Sequence, residues 1–185
     1  MKVLAISGSL RANSHNTKLL RAAAEFLPAD VELELWDGLK DVPPYDEDDD
    51  TDPAPAAVAR LRAAIAGADA VLFATPEYNS SIPGQLKNAL DWASRPIATN
   101  VLRNKPVAVI GASAGAFGAV WSQAELRKVL AAIGARVTDV EIAVGHADQR
   151  FGDDGRLADE DLRSELREAV EILVGEAAPR VAAAA

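Results

Sequence analysis

The stretch VLAIS, residues 3–7, is a short and wholly apolar run that ends at Gly8. Two later runs have the same character: AVLFA at residues 70–74 and PVAVIGAS at residues 106–113. Strands that are apolar on both sides belong in a parallel sheet covered by helices on both faces, because neither side then meets water. The three runs therefore predict an α/β fold built on a parallel sheet.

Two further segments complete the predicted sheet. Residues 31–36, VELELW, alternate apolar and acidic side chains, which is typical of an edge strand with one face in water. Residues 136–144, RVTDVEIAV, predict a fifth strand. Five strands favour the order 2-1-3-4-5, with the second strand at an edge, over the six-strand dinucleotide-binding order. With right-handed crossovers this is a flavodoxin-like three-layer sandwich.

Apolar residues at helical spacing mark the connections between these strands. The predicted helices cover residues 16–27, 55–66, 84–92, 123–134 and 159–177. No repeat and no second domain is visible in the sequence. We therefore expect a single domain over residues 1–180, followed by a frayed tail at residues 181–185.

Composition narrows the classes of function. The 185-residue chain has a net charge of −9, no cysteine and two histidines. It thus excludes disulfides, thiolate metal sites and a cysteine nucleophile, and it argues against a multi-histidine zinc site. An acidic chain argues against generic nucleic-acid binding. No run is long and apolar enough to cross a membrane, and the N-terminus looks like a strand rather than a signal peptide, so we expect a cytoplasmic protein.

The net charge is unevenly distributed along the chain. Residues 1–24 hold four basic residues and no acid, whereas residues 25–59 hold twelve acids and one lysine. A positive segment in an acidic protein predicts an anion site. The acidic run at residues 46–52 fails the calcium-loop pattern, because Thr51 and Ala57 stand where glycine and glutamate are needed. We expect that run to be a solvated loop.

Ligands of such sheets bind beyond the carboxyl ends of the strands, where the strand order reverses between strands 1 and 3. The first loop there, residues 8–17, combines three hydroxyl residues, two asparagines and an arginine just before a helix. This combination suits a phosphate, although the P-loop and dinucleotide fingerprints are absent. The alternative is that Ser14 only caps the helix and Arg11 is solvated.

The loops after strands 3 and 4 are the other candidates. Residues 75–84, TPEYNSSIPG, form a proline-pinned polar loop with an aromatic side chain, which suits the edge of a flat heterocycle. The small residues at 111–118 would let a flat ligand approach the backbone. The alternatives are a stiff connection whose serines cap the next helix, and an ordinary Gly-Ala-rich turn.

Three motifs in these loops carry a resemblance to a known family. They are S-G-S-L-R-x-x-S-x-N-T at residues 7–17, P-E-Y-N-S-S-I-P-G-Q-L-K-N-A-L-D-W at residues 76–92 and S-A-G-A-F-G at residues 113–118. Over residues 1 to about 140 the chain resembles the NADPH-dependent FMN reductase family, and the middle motif is the most specific. The resemblance implies a flavodoxin-like homodimer or homotetramer that binds FMN and uses NADPH or NADH as co-substrate. The electron acceptor would be small: a flavin, a quinone, an azo compound or a metal oxyanion.

The resemblance also implies roles for individual residues. The residues around the FMN phosphate would be Ser9, Leu10, Arg11, Ser14, Asn16 and Thr17. Those at the flavin ring and ribityl chain would be Pro76, Glu77, Tyr78, Asn79 and Ser80, with Ser113, Gly115 and Gly118 on the other edge of the ring. Possible contacts for the nicotinamide nucleotide's phosphates are Arg95 and Arg103, and Trp92 and Trp121 could line a dimer interface or a substrate pocket. His15 lies in the phosphate loop and could assist there, but we expect an exposed residue at the start of the first helix.

The implied mechanism is a ping-pong hydride transfer that the flavin carries, so no catalytic side chain and no metal is expected. The main alternative is a flavodoxin-like electron-transfer protein with a protein partner and no nicotinamide activity, for which the acidic segment would suit a basic partner. A third possibility is a module that has lost its cofactor and acts by interaction.

Overall fold

The computed structural model describes residues 1–178, and the predicted frayed tail lies outside this range. The strands are β1 Lys2–Ser7, β2 Glu32–Trp36, β3 Ala70–Thr75, β4 Pro106–Ala112, β5 Arg136–Val137 and β6 Ala143–Val144. All pairings are parallel, in the order β2-β1-β3-β4-β5, with β6 also paired to β4. The predicted α/β flavodoxin-like fold and strand order are confirmed.

Five α-helices cover the two faces of the sheet. They are α1 His15–Ala23, α2 Ala56–Ala66, α3 Gly84–Ala93, α4 Val120–Ile133 and α5 Glu160–Ala177. Leu4 and Ile6 of β1 join the apolar cluster under α2, α3 and α4, whereas Val3 and Ala5 join the cluster under α1 and α5. Since successive residues of a strand point to opposite faces, a wholly apolar strand supplies both clusters at once. This is why the apolar runs identified the central strands.

The fifth strand departs from the prediction. A continuous strand over residues 136–144 was expected, but the structure has two short strands, β5 and β6. Thr138 still donates its N–H to the Val107 carbonyl (2.8 Å), and the Ile142 carbonyl accepts from Gly111 (2.9 Å). Between them Asp139 and Glu141 are exposed. The strand pairing with β4 is therefore interrupted between Thr138 and Ile142. This keeps the carboxylates of Asp139 and Glu141 in water, because burying a charge is costly.

The first helix also ends early. Helical spacing predicted a helix to residue 27, but α1 ends at Ala23 and a 3-10 turn over Ala24–Phe26 follows. Pro28 comes two residues after that turn, and a proline cannot continue a helix with normal hydrogen bonding. Within residues 1–178 no helix has the length and hydropathy that crossing a bilayer requires.

Candidate functional site

A cavity of about 170 Å³ opens at the carboxyl ends of the central strands, where three loops meet. Loop 1 (residues 8–14) follows β1, loop 2 (residues 76–83) follows β3 and loop 3 (residues 113–119) follows β4. We call this space the central cavity. Eight predicted site residues line it: Ser9, Arg11, Ser14, Asn16, Pro76, Glu77, Tyr78 and Ser113. His15, Ala112 and Ala114 complete its wall.

Loop 1 leads directly into the amino-terminal turn of α1. The buried Ser14 is the N-cap residue, and its hydroxyl accepts from the Thr17 N–H (3.3 Å). The first turn of a helix leaves N–H groups without intrahelical acceptors, and here it holds no acidic residue. Its partial positive charge is therefore available to an anion in the central cavity. The capping role considered for Ser14 is thus real, and it coexists with a place in the cavity wall.

Asn16 holds two loops together. Its side-chain amide donates to the Ala112 carbonyl at 2.9 Å, and its side-chain oxygen accepts from the Ala112 N–H at 2.9 Å. The side chain is buried. Because the two ends of the carboxamide bond to the N–H and the carbonyl of the same residue, Asn16 fixes the start of α1 against the end of β4.

Two predicted residues of the loop 1 region face away from the central cavity. The Thr17 hydroxyl donates to the Ser7 hydroxyl oxygen at 3.1 Å and so braces the end of β1. Leu10 is about half exposed (48%). Both line a neighbouring cavity on the other side of loop 1. The structure therefore divides the predicted phosphate residues between two faces of this loop.

Loop 2 is a tight hairpin. The Tyr78 and Ser81 backbones exchange hydrogen bonds of 3.0 and 3.1 Å across a two-residue turn. The turn residues, Asn79 and Ser80, have φ values of 54° and 59°, the pattern of a type I′ turn. Both are exposed at the tip and lie outside the cavity lining, whereas Tyr78 reaches the cavity wall with 52% of its surface exposed.

Glu77 ties loop 2 to α4. Its carboxylate accepts from the N–H groups of Trp121 (3.1 Å) and Ser122 (3.3 Å) in the first turn of α4. The N-cap of α4, Ala119, has no side chain that could do this. The Thr75 hydroxyl also pairs with the Ser122 hydroxyl at 2.9 Å. The negative charge of Glu77 is thereby placed at a helix amino terminus, where it is stabilised.

Loop 3 packs on the segment after β6. The Ser113 hydroxyl, in the cavity wall, accepts from the Gly115 N–H at 3.1 Å. Gly115 is exposed, and its carbonyl accepts from the His146 N–H at 3.0 Å. Gly118 is buried with a φ of +57°, and a Cβ there would lie 2.3 Å from the Ala143 carbonyl carbon. Both glycines lie outside the cavity lining, and Gly118 allows loop 3 to approach the residue 143–144 backbone.

His15 is a cavity residue that the sequence reasoning undervalued. It starts α1 as expected, but it is half-buried rather than exposed, and its ring stacks on Phe151 with centroids 6.3 Å apart. Its Nδ1 is buried and has no hydrogen-bond partner within residues 1–178. Burial lowers the pKa of His15, and the charges of Arg11 and Lys18 lower it further, against an opposing effect of Asp148. In the sequence, only the position of His15 within the predicted phosphate loop indicated a place in the site.

The donor set of the central cavity fits a phosphate. It combines the serine hydroxyls, the first-turn amides of α1 and an exposed Arg11 guanidinium without an ion pair among the described residues. The only carboxylate in the wall, Glu77, already accepts two N–H groups. Charge-assisted hydrogen bonds to a phosphate are the strongest that such donors make.

Arg95, Arg103 and Trp92 lie elsewhere. Arg103 precedes the amino end of β4, opposite to the carboxyl ends where the cavity opens, and donates to the Ala98 carbonyl (3.1 Å). Arg95 follows the far end of α3 and lies over the Tyr45 ring (5.5 Å). Trp92 is fully buried in the core, so its expected place on a surface or in a pocket of this chain is wrong. Trp121 is about half exposed and packs edge-to-face on Phe117.

The acidic run is structured at one point. A 3-10 turn covers Glu47–Asp49, and the carboxylate of Asp50 pairs with Arg62 at 2.9 Å. Across residues 1–178 we find no group of three or more histidine or acidic side chains placed to hold a metal ion.

The comparisons with known proteins identify the family of the chain. The family model described as NADPH-dependent FMN reductase matches residues 1–149. An NAD(P)H-dependent FMN reductase of Pseudomonas aeruginosa is 42% identical over 174 residues, covering 94% of this chain and 93% of its own length. A 2-hydroxy-1,4-benzoquinone reductase of a Burkholderia species is 39% identical, covering 90% and 91%. The structure of FerB, a flavoenzyme NAD(P)H:(acceptor) oxidoreductase of Paracoccus denitrificans, superposes with a TM-score of 0.82 at 35% identity, covering 95% and 98%. The chain therefore belongs to the NADPH-dependent FMN reductase family, which are oxidoreductases that work with FMN and a reduced nicotinamide nucleotide.

Proposed function

We propose that the chain reduces a small acceptor, such as a flavin, a quinone, an azo compound or a metal oxyanion, in a ping-pong reaction. The observation that carries this proposal is the central cavity, where three loops bring hydroxyls, helix amides and an unpaired arginine together at the switch point of the sheet. Relatives named quinone reductases, 38–39% identical to this chain, support a small acceptor rather than a protein partner.

Each part of the cavity has its own task in this proposal. Ser9, Arg11, Ser14 and His15, with the first turn of α1, hold the phosphate of FMN. Pro76 and Tyr78 of loop 2 and Ser113 of loop 3 contact the flavin. When bound, FMN supplies the redox chemistry, accepting a hydride from the nicotinamide and passing the electrons to the acceptor. The chain therefore contributes binding and positioning, through Asn16 and Glu77 above all, and needs no side chain as a nucleophile.

The remaining predicted contacts support the site from outside the cavity lining. We propose that Asn79 and Ser80 shape the hairpin tip, that Thr17 braces loop 1, and that Leu10, Gly115 and Gly118 set the course of the loops. The hairpin-tip residues Asn79 and Ser80 are also exposed beside the cavity, where they can contact the ligand directly.

A homodimer or homotetramer in the cytoplasm completes the proposal. The exposed pair Phe117 and Trp121, 5.1 Å apart between ring centroids, lies where loop 3 enters α4 and offers an apolar surface for a second copy. Light scattering coupled to gel filtration measures the mass in solution, and a monomer at every concentration would remove this part of the proposal.

The deciding experiment is a visible spectrum of the purified protein before and after NADPH is added under nitrogen. A yellow protein that NADPH bleaches, and that a quinone then recolours, supports the reductase. Bleaching by dithionite but not by NADPH or NADH would instead support the electron-transfer protein. A colourless protein that takes up no FMN would overturn both.

The Arg11→Ala variant tests the phosphate site directly. Removing the guanidinium should weaken FMN binding by about 1.5–3 kcal/mol, the range for a hydrogen bond to a charged group. Riboflavin, which lacks the phosphate, should lose far less affinity in the same variant. Lys128→Ala, which removes an exposed cation on α4, is the matched control and should leave both affinities unchanged. Equal losses for FMN and riboflavin would refute Arg11 as a phosphate ligand.

A further inference from the structure

A second cavity, of about 300 Å³, lies on the other side of loop 1 from the central cavity. We call it the β2 cavity, because loop 1 and α1 form one wall and the end of β2 with the following turn forms the other. Its lining includes Ser9 and Arg11 of loop 1, Arg21 of α1, and Trp36, Asp37 and Lys40 at the end of β2 and in the turn that follows it. The volume is at the lower end of the range of small-molecule sites, about 300–1,000 Å³.

Three unpaired cations surround the β2 cavity. The side chains of Arg11, Arg21 and Lys40 are exposed and make no ion pair or hydrogen bond with any residue in the described range 1–178. Six other arginines in residues 1–178 face a carboxylate: Arg60, Arg62, Arg127, Arg150, Arg156 and Arg163. In a chain of charge −9, three cations left together at one cavity are a site for an anion.

The floor of the cavity is apolar. Leu35 and Leu39 lie beside Trp36, which is half-buried and packed so closely against Gly38 that a Cβ there would lie 2.7 Å from the indole. A fixed indole with aliphatic neighbours suits a flat aromatic ring. Asp37, the one carboxylate in the lining, can accept hydrogen bonds from sugar hydroxyls. A ring, a hydroxylated sugar and a phosphate together describe a phosphorylated nucleoside.

We propose that the β2 cavity holds the 2′-phosphorylated adenosine end of NADPH, with Arg21 and Lys40 on the 2′-phosphate. This inference rests on the proposed function. Ser9 and Arg11 line both cavities, so a dinucleotide lying over loop 1 has one end on each side of this shared wall. NADH lacks the 2′-phosphate and gains nothing from the two cations. The chain therefore prefers NADPH through residues outside the FMN site.

The kinetic test uses Arg21→Gln, Lys40→Gln and the double variant, each loaded with FMN. The ratio of kcat/KM for NADPH to kcat/KM for NADH should fall several-fold in each single variant and at least tenfold in the double variant. Lys128→Gln, the exposed cation on α4, is the control and should keep the wild-type ratio. Thermal unfolding is compared first, because Arg21 lies in the last turn of α1, where a cation also favours the helix. A ratio unchanged in the double variant overturns the inference.

Calorimetry gives a readout that does not depend on turnover. We expect 2′,5′-ADP to bind the wild-type protein and to compete with NADPH, 5′-AMP to bind at least tenfold more weakly, and the double variant to lose this difference. Equal binding of the two nucleotides overturns the inference while leaving the proposed function intact. If the protein takes up no FMN and oxidises neither nucleotide, the proposed function fails, and the comparison of 2′,5′-ADP with 5′-AMP still decides whether the β2 cavity recognises the 2′-phosphate.

Discussion

At the scale of single residues, Asn16 is the side chain on which the cavity most depends for its shape. Its two hydrogen bonds to Ala112 are buried, so removing them leaves a peptide N–H and carbonyl without partners. We expect Asn16→Ala to lower the free energy of unfolding of the apoprotein by about 1–3 kcal/mol, the cost of leaving buried polar groups unsatisfied. Urea unfolding measures this loss. Asn13→Ala, at an exposed position of the same loop, should change it little, and equal effects of the two variants would contradict the role of Asn16.

His15 makes the stability of the apoprotein depend on pH. Its pKa is lowered from an ordinary value of 6.5, chiefly by burial and then by Arg11 and Lys18. As the pH falls below that value, the unfolded chain takes up a proton before the folded protein does, so the free energy of unfolding decreases until the folded pKa is passed. Urea unfolding at several pH values should show that wild type loses stability relative to His15→Gln on acidification. Parallel curves for the two proteins would show that His15 titrates alike in both states.

The sequence predicted which residues surround the site better than it predicted what each one does. Hydroxyls, an arginine and a helix start are visible within one short segment, so loop 1 could be predicted as part of the cavity wall from its own composition. The partner of Asn16 lies 96 positions away and that of Glu77 lies 44 positions away. Such pairings follow from the strand order and from the path of each loop, which no local pattern encodes. The sequence therefore predicted both residues as ligand contacts but not the hydrogen bonds by which their side chains fix the loops.

At the scale of elements, the central strands and the helices were predictable because each has a strong periodic or apolar signal. The edge strand β2 was also found, since its alternation reflects one face in contact with water. The break between β5 and β6 was not, because RVTDVEIAV has the composition of a single strand. Its interruption depends on neighbours: Arg127 of α4 donates to the Val140 carbonyl (2.9 Å) and pairs with Glu141, which holds the segment off the ladder.

Substituting Gly118 tests how closely loop 3 must pack on the backbone of residues 143–144. Its φ of +57° disfavours any Cβ, and a Cβ would also overlap the Ala143 carbonyl carbon. Gly155→Ala isolates the first effect, because Gly155 has a φ of +79° with open space around it, and it should cost about 1–2 kcal/mol in a left-handed conformation. Gly118→Ala should cost clearly more.

Urea unfolding of the two variants checks this order, with Gly84→Ala as a third. Gly84 starts α3, and nothing lies near the Cβ position, so this change should be neutral or stabilising by up to about 1 kcal/mol. A cost for Gly118→Ala no greater than that for Gly155→Ala would show that loop 3 can move away from Ala143.

At the scale of the whole molecule, the uneven charge has a structural counterpart. Three of the four cations in residues 1–24, Arg11, Lys18 and Arg21, lie on loop 1 and α1, and two of them, Arg11 and Arg21, line the β2 cavity. Two carboxylates of the acidic segment, Asp41 and Asp50, pair with Arg60 and Arg62 of α2, which follows that segment in the chain. Lys2 of the basic segment pairs with Glu34 of the acidic one, whereas Arg11 and Arg21 have no carboxylate partner among residues 1–178. This asymmetry keeps positive charge available for phosphates in a protein whose net charge is negative.

The central cavity exists only in the folded chain, since it is made by loops from three separate strands. FMN should therefore stabilise the fold by mass action, by about 2.7 kcal/mol at a free concentration near one hundred times its Kd. Urea unfolding of the apoprotein with and without FMN measures this gain, and Asn16→Ala should retain less of it at the same FMN concentration, because its loops are no longer held together. Riboflavin at the same concentration should stabilise far less, since it offers no phosphate to Arg11 and the first turn of α1. If riboflavin stabilised the chain as much as FMN does, the donors of loop 1 would not bind the phosphate. The anion site inferred from the positive segment would then have to lie elsewhere.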